Sequence, residues 1–157
     1  SPTTTEIANW FIAMCAAPST GRKAADPIET VKFARAALRI TDRYLPPGYV
    51  ESVEGLTFPK AETFGEAIDL LIEDMRAGAY AEWKGDHYPT AKIQFFDHGS
   101  RIFMQFQRAS GDARSFLLFR NEDGHFGGPC LTHCVEVDCF ALERIAEAMG
   151  APVPAPA

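Results

Sequence analysis

No apolar run in this chain of 157 residues approaches the roughly 20 residues of a membrane-spanning helix, because charge interrupts every hydrophobic stretch. Cysteine is scarce as well. Cys130, Cys134 and Cys139 crowd together and Cys15 stands alone, which is not the spread of a disulfide framework, so reduced thiols in a cytoplasmic protein are expected. Residues 1–6 are polar and lack the basic-then-apolar order of a secretory leader, although a leader already removed stays open. The charge balance is not basic either, and whether Arg101, Arg108, Arg114 and Arg120 share a face is not legible from the sequence. Fifteen Lys and Arg stand against 21 Asp and Glu, and the pI is near 5.2, which argues against a nucleic-acid partner. No G-x-S-x-G elbow occurs, and Gly124-x-x-Gly127-Gly128 fits neither a dinucleotide nor a phosphate loop. No catalytic signature names a reaction, and no cofactor is expected.

What the chain does have is charge of one sign in one place. Residues 51–86 hold nine acids against Lys60, Arg76 and Lys84, which accounts for the whole net charge of −6. A concentrated acidic surface attracts basic partners over a distance and repels nucleic acid.

The length suits one domain with a full core. Residues 1–150 are read as a single α+β domain, and 151–157, with three prolines, as a flexible tail. Thr3-x-x-Glu6 has the form of a capping box, and Ile7, Trp10, Phe11, Met14 and Cys15 follow at helical spacing. Asp26-Pro27 opens a second helix that can run to about Tyr44, before Pro46-Pro47-Gly48 stops it. Its stripes are Phe33, Ala37, Ile40 and Tyr44, with Ile28, Val31 and Leu38 beside them. Residues 49–58 are ambiguous, with short strands at 49–53 and 56–58 as one reading. A third helix starts at Thr63-x-x-Glu66 and closes near Gly78, with Phe64, Ile68, Leu71 and Met75 inward and Glu66, Asp69 and Glu73 on another face. Residues 92–97, 101–108 and 113–120 read as strands of an antiparallel meander joined by tight turns. Residues 131–137 suit a fourth strand, and Asp138 caps a last helix. The expectation is therefore N-terminal helices, a three- to four-stranded antiparallel meander and a C-terminal helix. Phe96, Phe103 and Phe119 alternate against Phe95, Phe106 and Phe116, so both sheet faces are apolar. Either helices cover both faces or one face meets a partner.

Candidate chemistry concentrates in residues 125–139. His125, Cys130, His133, Cys134 and Cys139 are potential ligands for a soft metal, and Cys130 with His133 has the spacing of a chelating knuckle. The other spacings match no zinc pattern, and His133 and Cys134 on one strand point to opposite faces, so buried structural thiols are the simpler account. A Cys130 nucleophile with His125 or His133 as base needs a lowered thiol pKa that nothing in the sequence guarantees. Asp97-His98-Gly99-Ser100 reads as a hairpin turn rather than a triad, because consecutive turn residues diverge. Glu66, Asp69 and Glu73 alone are a poor cation site, since such sites draw ligands from several elements.

Aromatic residues flank the acidic stretch: Tyr80, Trp83, His87 and Tyr88. Aromatic anchors inside a charged rim are a common build for protein interfaces. In size, acidity and helices around a Phe-rich meander, and in the stretches Phe64-Gly65-Glu66-Ala67-Ile68-Asp69 and Tyr80-Ala81-Glu82-Trp83, the chain resembles the small α+β immunity proteins that bacteria make against their own secreted toxins. That resemblance implies a non-catalytic protein that occludes a basic partner, as a monomer or homodimer. Glu62, Glu66, Asp69, Glu73 and Asp74 would carry the charge, with Tyr80 or Trp83 as anchor. Two other readings stand beside it: a Cys/His-dependent enzyme or metal protein using residues 125–139, and a dimeric chaperone or adaptor for a secreted protein using an apolar sheet face.

Overall fold

The computed structural model describes residues 2–16, 26–121 and 134–150. Helix α1 (Thr4–Ala16) begins with the capping box foreseen from its sequence. The Glu6 N–H donates to Thr3 Oγ1 at 3.1 Å, and the Thr3 N–H donates to Glu6 Oε2 at 3.0 Å. Its buried face differs from the expected stripe. Ile7, Phe11 and Cys15 go inward together with Ala8 and Ile12, whereas Trp10 and Met14 are 56% and 65% exposed. Both sets fit a helical period. Packing against the helices described next selects the 7-11-15 and 8-12 rows.

Helix α2 (Pro27–Arg35) starts where Asp26 Oδ1 accepts the Ile28 N–H at 3.0 Å, and it ends nine residues before Tyr44. Sheet pairing overrides the helical pattern there. Strand β1 (Leu38–Arg39) pairs antiparallel with β5 (Arg114–Arg120), the Arg39 N–H donates to Glu62 O at 2.8 Å, and the Ile40 N–H donates to Leu118 O at 2.9 Å. A single helical turn, α3 (Thr41–Tyr44), follows. Leu38, Tyr44 and Ile28, expected in apolar stripes of a long helix, are exposed.

In the ambiguous stretch, Tyr49–Val50 forms β2, parallel to β5, and Phe58 begins a 3₁₀ turn (Phe58–Lys60) rather than ending a second strand. Helix α4 (Phe64–Arg76) is capped by Thr63, whose Oγ1 accepts the Glu66 N–H at 3.2 Å, and it buries Phe64, Ile68, Leu71 and Met75 as expected. Gly78, at φ +85°, turns the chain into α5 (Ala79–Lys84).

Three strands follow the expected meander: β3 (Thr90–Phe96), β4 (Arg101–Gln107) and β5. The fourth, β6 (Cys134–Asp138), joins the far edge, antiparallel to β3, giving the order β1-β5-β4-β3-β6. Helix α6 (Cys139–Met149) closes the chain behind the Asp138 cap, which accepts the Phe140 N–H at 2.8 Å. The class is α+β, with helices at both ends of the sheet-forming sequence.

Register decides the two sheet faces. Ile102 lies opposite Phe119 and Met104 opposite Leu117, so Phe119 shares a face with Phe95 and Phe106. Phe116 lies opposite Gln105 and belongs with Phe96 and Phe103, the reverse of the grouping expected for this pair. The first face carries the core. Phe64 of α4 meets Phe95 at 5.5 Å and Phe119 at 5.7 Å, Phe11 of α1 meets Phe95 at 6.3 Å, and Phe58 meets Phe106 at 4.8 Å. The other face has no long helix over it among the described residues. Among those residues no helix is long and apolar enough to cross a membrane.

Candidate functional site

The acids of α4 divide into those tied inward and those left outside. Asp74 is buried and works as an internal cap. Its Oδ2 accepts the Thr57 N–H at 2.9 Å and the Phe58 N–H at 3.3 Å, and its Oδ1 accepts the Thr57 hydroxyl at 2.9 Å. Asp69 is paired with Arg35, whose Nη1 donates to Asp69 Oδ1 and to Asn9 Oδ1, both at 3.1 Å, so one guanidinium ties α1, α2 and α4 together. Glu73 accepts the Thr4 hydroxyl and lies 3.7 Å from Arg76 Nη1. Glu62 and Glu66, at the start of α4, are exposed. The stripe expected as one binding surface is thus largely spent on holding helices together, and Asp74 is not presented to a partner.

Tyr80 and Trp83 also part company. Tyr80 is 1% exposed and belongs to the core, which corrects its role as an outer anchor. Its burial pushes the phenol pKa upward, with Cys139, Glu143 and Asp138 adding to the shift. Trp83 is half-buried. It meets Tyr80 in a tilted contact at 5.4 Å and Phe106 edge-on at 6.1 Å, and it lines a cleft of about 280 Å³ with Glu54, Glu82 and Arg108. The cleft adjoins a second of about 320 Å³ that reaches Ser52 and Asp112. Arg108 Nε is 3.0 Å from Asp112 Oδ2, so a carboxylate already offsets the one guanidinium there. Glu54 and Glu82 were not singled out from the sequence beyond their place in the acidic stretch. Glu54 sits in a turn 28 residues before Glu82, and nothing in that spacing announces that α5 brings them to one cleft.

A third cleft, about 460 Å³, opens between α5 and α6 and is lined by His87, Tyr88, Asp138 and Phe140 around the Lys84–Glu143 ion pair. Tyr88 and Phe140 stand exposed at its mouth. Helix α5 is therefore flanked by aromatic clefts with carboxylates at each rim.

Of the proposed metal ligands, His125, Cys130 and His133 lie outside the described residues. Cys134 is exposed at the start of β6, and partial burial and Glu136 raise its thiol pKa. Burial raises Cys139 further, with Asp138 and Glu143 adding to the shift, and pushes Cys15 up to about 11. Both buried thiols are held neutral, the opposite of what a thiolate nucleophile needs. Among the described residues, no three His, Cys, Asp or Glu side chains gather as a metal site requires.

In comparisons with known proteins, no family model, no curated protein and no solved structure matches this chain.

Proposed function

We propose that this chain is a non-catalytic binding protein that neutralises a basic protein partner, in the manner of an immunity protein occluding the active site of a secreted bacterial toxin. The observation that carries this reading is the Trp83 cleft, which the indole lines together with Glu54 and Glu82 of the stretch that holds the net charge and with Arg108. A partner's Lys or Arg enters with its stem along the indole and its cation between the two carboxylates. Cation–π attraction supplies about 0.5–2 kcal/mol, depending on how far the cation is desolvated. Tyr88 and Phe140 offer apolar contact on the other side of α5. Glu62 and Glu66, exposed at the start of α4 and outside the cleft lining, act by steering the encounter rather than by contact.

Affinity capture from the producing organism's lysate, at low and high salt, tests this directly, with wild type and Glu54→Lys/Glu82→Lys run in parallel. One stoichiometric basic protein is expected on the wild type, reduced by salt and reduced roughly tenfold or more by the double reversal. No partner at either salt, or equal capture by a folded variant, overturns the reading.

A further inference from the structure

The cleft of about 460 Å³ between α5 and α6 shares no lining residue with the Trp83 cleft. It has depth. Tyr88 and Phe140 stand exposed at its mouth, whereas Tyr80 and Ala91 at its floor are 1% and 2% exposed. Its volume falls in the range of sites that enclose a small organic molecule, about 300–1,000 Å³. Most of its polar groups are engaged. Lys84 and Glu143 form an ion pair, and Glu136 takes Lys92 at 3.3 Å and the Gln94 side-chain amide at 2.8 Å. Arg144, outside the lining, lies over the Phe140 ring at 5.7 Å. Two groups keep capacity. Asp138 uses Oδ1 to accept the Phe140 N–H, and it forms no ion pair among the described residues. Tyr80 is buried, yet among the described residues its hydroxyl makes no hydrogen bond. A buried polar group ordinarily has a partner. The field at the floor is negative although Lys84 is close. Burial raises the Tyr80 phenol and the Cys139 thiol above their ordinary pKa values, and Asp138 and Glu143 add to both shifts.

We propose that this cleft binds a small organic cation, an amine carried on an aromatic or aliphatic body. The remaining oxygen of Asp138 accepts one ammonium N–H and the Tyr80 oxygen accepts another. The apolar body lies against Tyr88, Val137 and Phe140, which line the rest of the cleft. An anion would meet the negative field of Asp138 and Glu143, and a neutral ligand would leave the Asp138 charge unanswered. A lysine from a partner protein would reach Asp138 but bring no ring to fill the space between the aromatic walls. This site goes beyond the neutralising role and does not depend on it.

The test titrates the isotope-labelled full chain with three probes that share one body, phenylpropylammonium, phenylpropanol and phenylpropionate, and follows backbone amide shifts by NMR. The ammonium probe should shift amides within residues 80–91 and 136–143 and bind roughly tenfold or more tightly than the alcohol or the carboxylate. Asp138→Asn removes the charge and keeps a good helix cap, so it should weaken the ammonium probe roughly tenfold while sparing the alcohol. Tyr80→Phe, which removes only the hydroxyl, should weaken it roughly threefold or more. Should either variant not fold, Phe140→Ala at the exposed mouth serves in its place and should weaken all three probes. Glu54→Lys/Glu82→Lys should leave the ammonium titration unchanged. No shifts at the cleft, equal binding of the three probes, shifts confined to the Trp83 cleft, or unchanged binding by folded Asp138→Asn overturns the proposal. So does a captured partner protein that Phe140→Ala releases while the ammonium probe does not bind, since a protein contact then holds the cleft. The probes act without a partner, so failure here leaves the Trp83 reading standing, and failure of that reading leaves this site untouched.

Discussion

Asp74 and Glu66 are both acids of one helix, eight residues apart, and they do unrelated work. Asp74 takes three hydrogen bonds from Thr57 and Phe58 and fixes the start of the 3₁₀ turn, whereas Glu66 faces water. Asp74→Asn weakens those charge-assisted bonds and leaves an amide donor facing N–H groups, so a loss of about 2–3 kcal/mol is expected in urea unfolding. Glu66→Gln should stay within about 0.5 kcal/mol of wild type. The thiols predict a pH dependence. In the unfolded chain Cys15 loses its proton near pH 8.5, by about the free-cysteine value. In the fold burial holds the proton until about 11. The folded state thus binds more protons between those values, and stability is full below the window and falls as pH rises through it. Cys139 shifts in the same direction. Unfolding followed from pH 7 into that alkaline window should show the decline, and Cys15→Ala should make it shallower.

At the scale of elements, one glycine and one register decide much of the arrangement. Gly65 lies in the first turn of α4, where an added Cβ would stand 2.8 Å from Arg35 Cβ and 2.9 Å from Arg35 Nε. The missing side chain is what lets Arg35 cross the helix and reach Asp69. An alanine in a helix is ordinarily favourable relative to glycine by about 1 kcal/mol. Here Gly65→Ala should instead destabilise by about 1–3 kcal/mol, because it must displace Arg35. Thermal melting of this single variant distinguishes the two signs. Strand β4 shows the effect of register in the same way. Phe106 is buried against Phe58 and Trp83, and Phe103 is half-buried on the open face. Phe106→Ala should cost about 3–5 kcal/mol, and Phe103→Ala clearly less, as compared by urea unfolding. The thirteen-residue α4 was legible in the sequence, because its cap, period and closing glycine all agree. The end of α2 was not. Residues 36–44 keep a helical period, and the bonds that end the helix come from Glu62 and Leu118, far along the chain.

For the molecule as a whole, both ends of the described chain feed one core. Ile7, Phe11 and Ile12 enter from α1, and Cys139, Leu142 and Ala146 from α6, around Ile93, Phe95 and Ile102 of the sheet. Removing residues 139–150 should strip the core of its last helix and replace cooperative thermal unfolding with a broad transition and dye-binding apolar surface. Charge is also a property of this scale. The acidic stretch was plain in the sequence, but the division of its acids was not: Asp74 is buried, Asp69 and Glu73 are tied to neighbouring helices, and Glu54 and Glu82 line one cleft through the placement of α5. The arginines of β4 and β5 were visible as residues and not as a face. Strand pairing sets Arg101 against Arg120 and sends Arg108 to the other side with Asp112.

By itself the sequence determined the α+β class, the capping boxes, the three strands of the meander and the place of the net charge. Those rest on local preferences and on periods of 3.6 and 2 residues, which neighbours along the chain set. The tertiary structure decided where α2 stops, which strand β6 joins, which face each phenylalanine takes and which acids remain outside. Each of those depends on a partner distant in sequence, and contact between distant segments leaves no period to read.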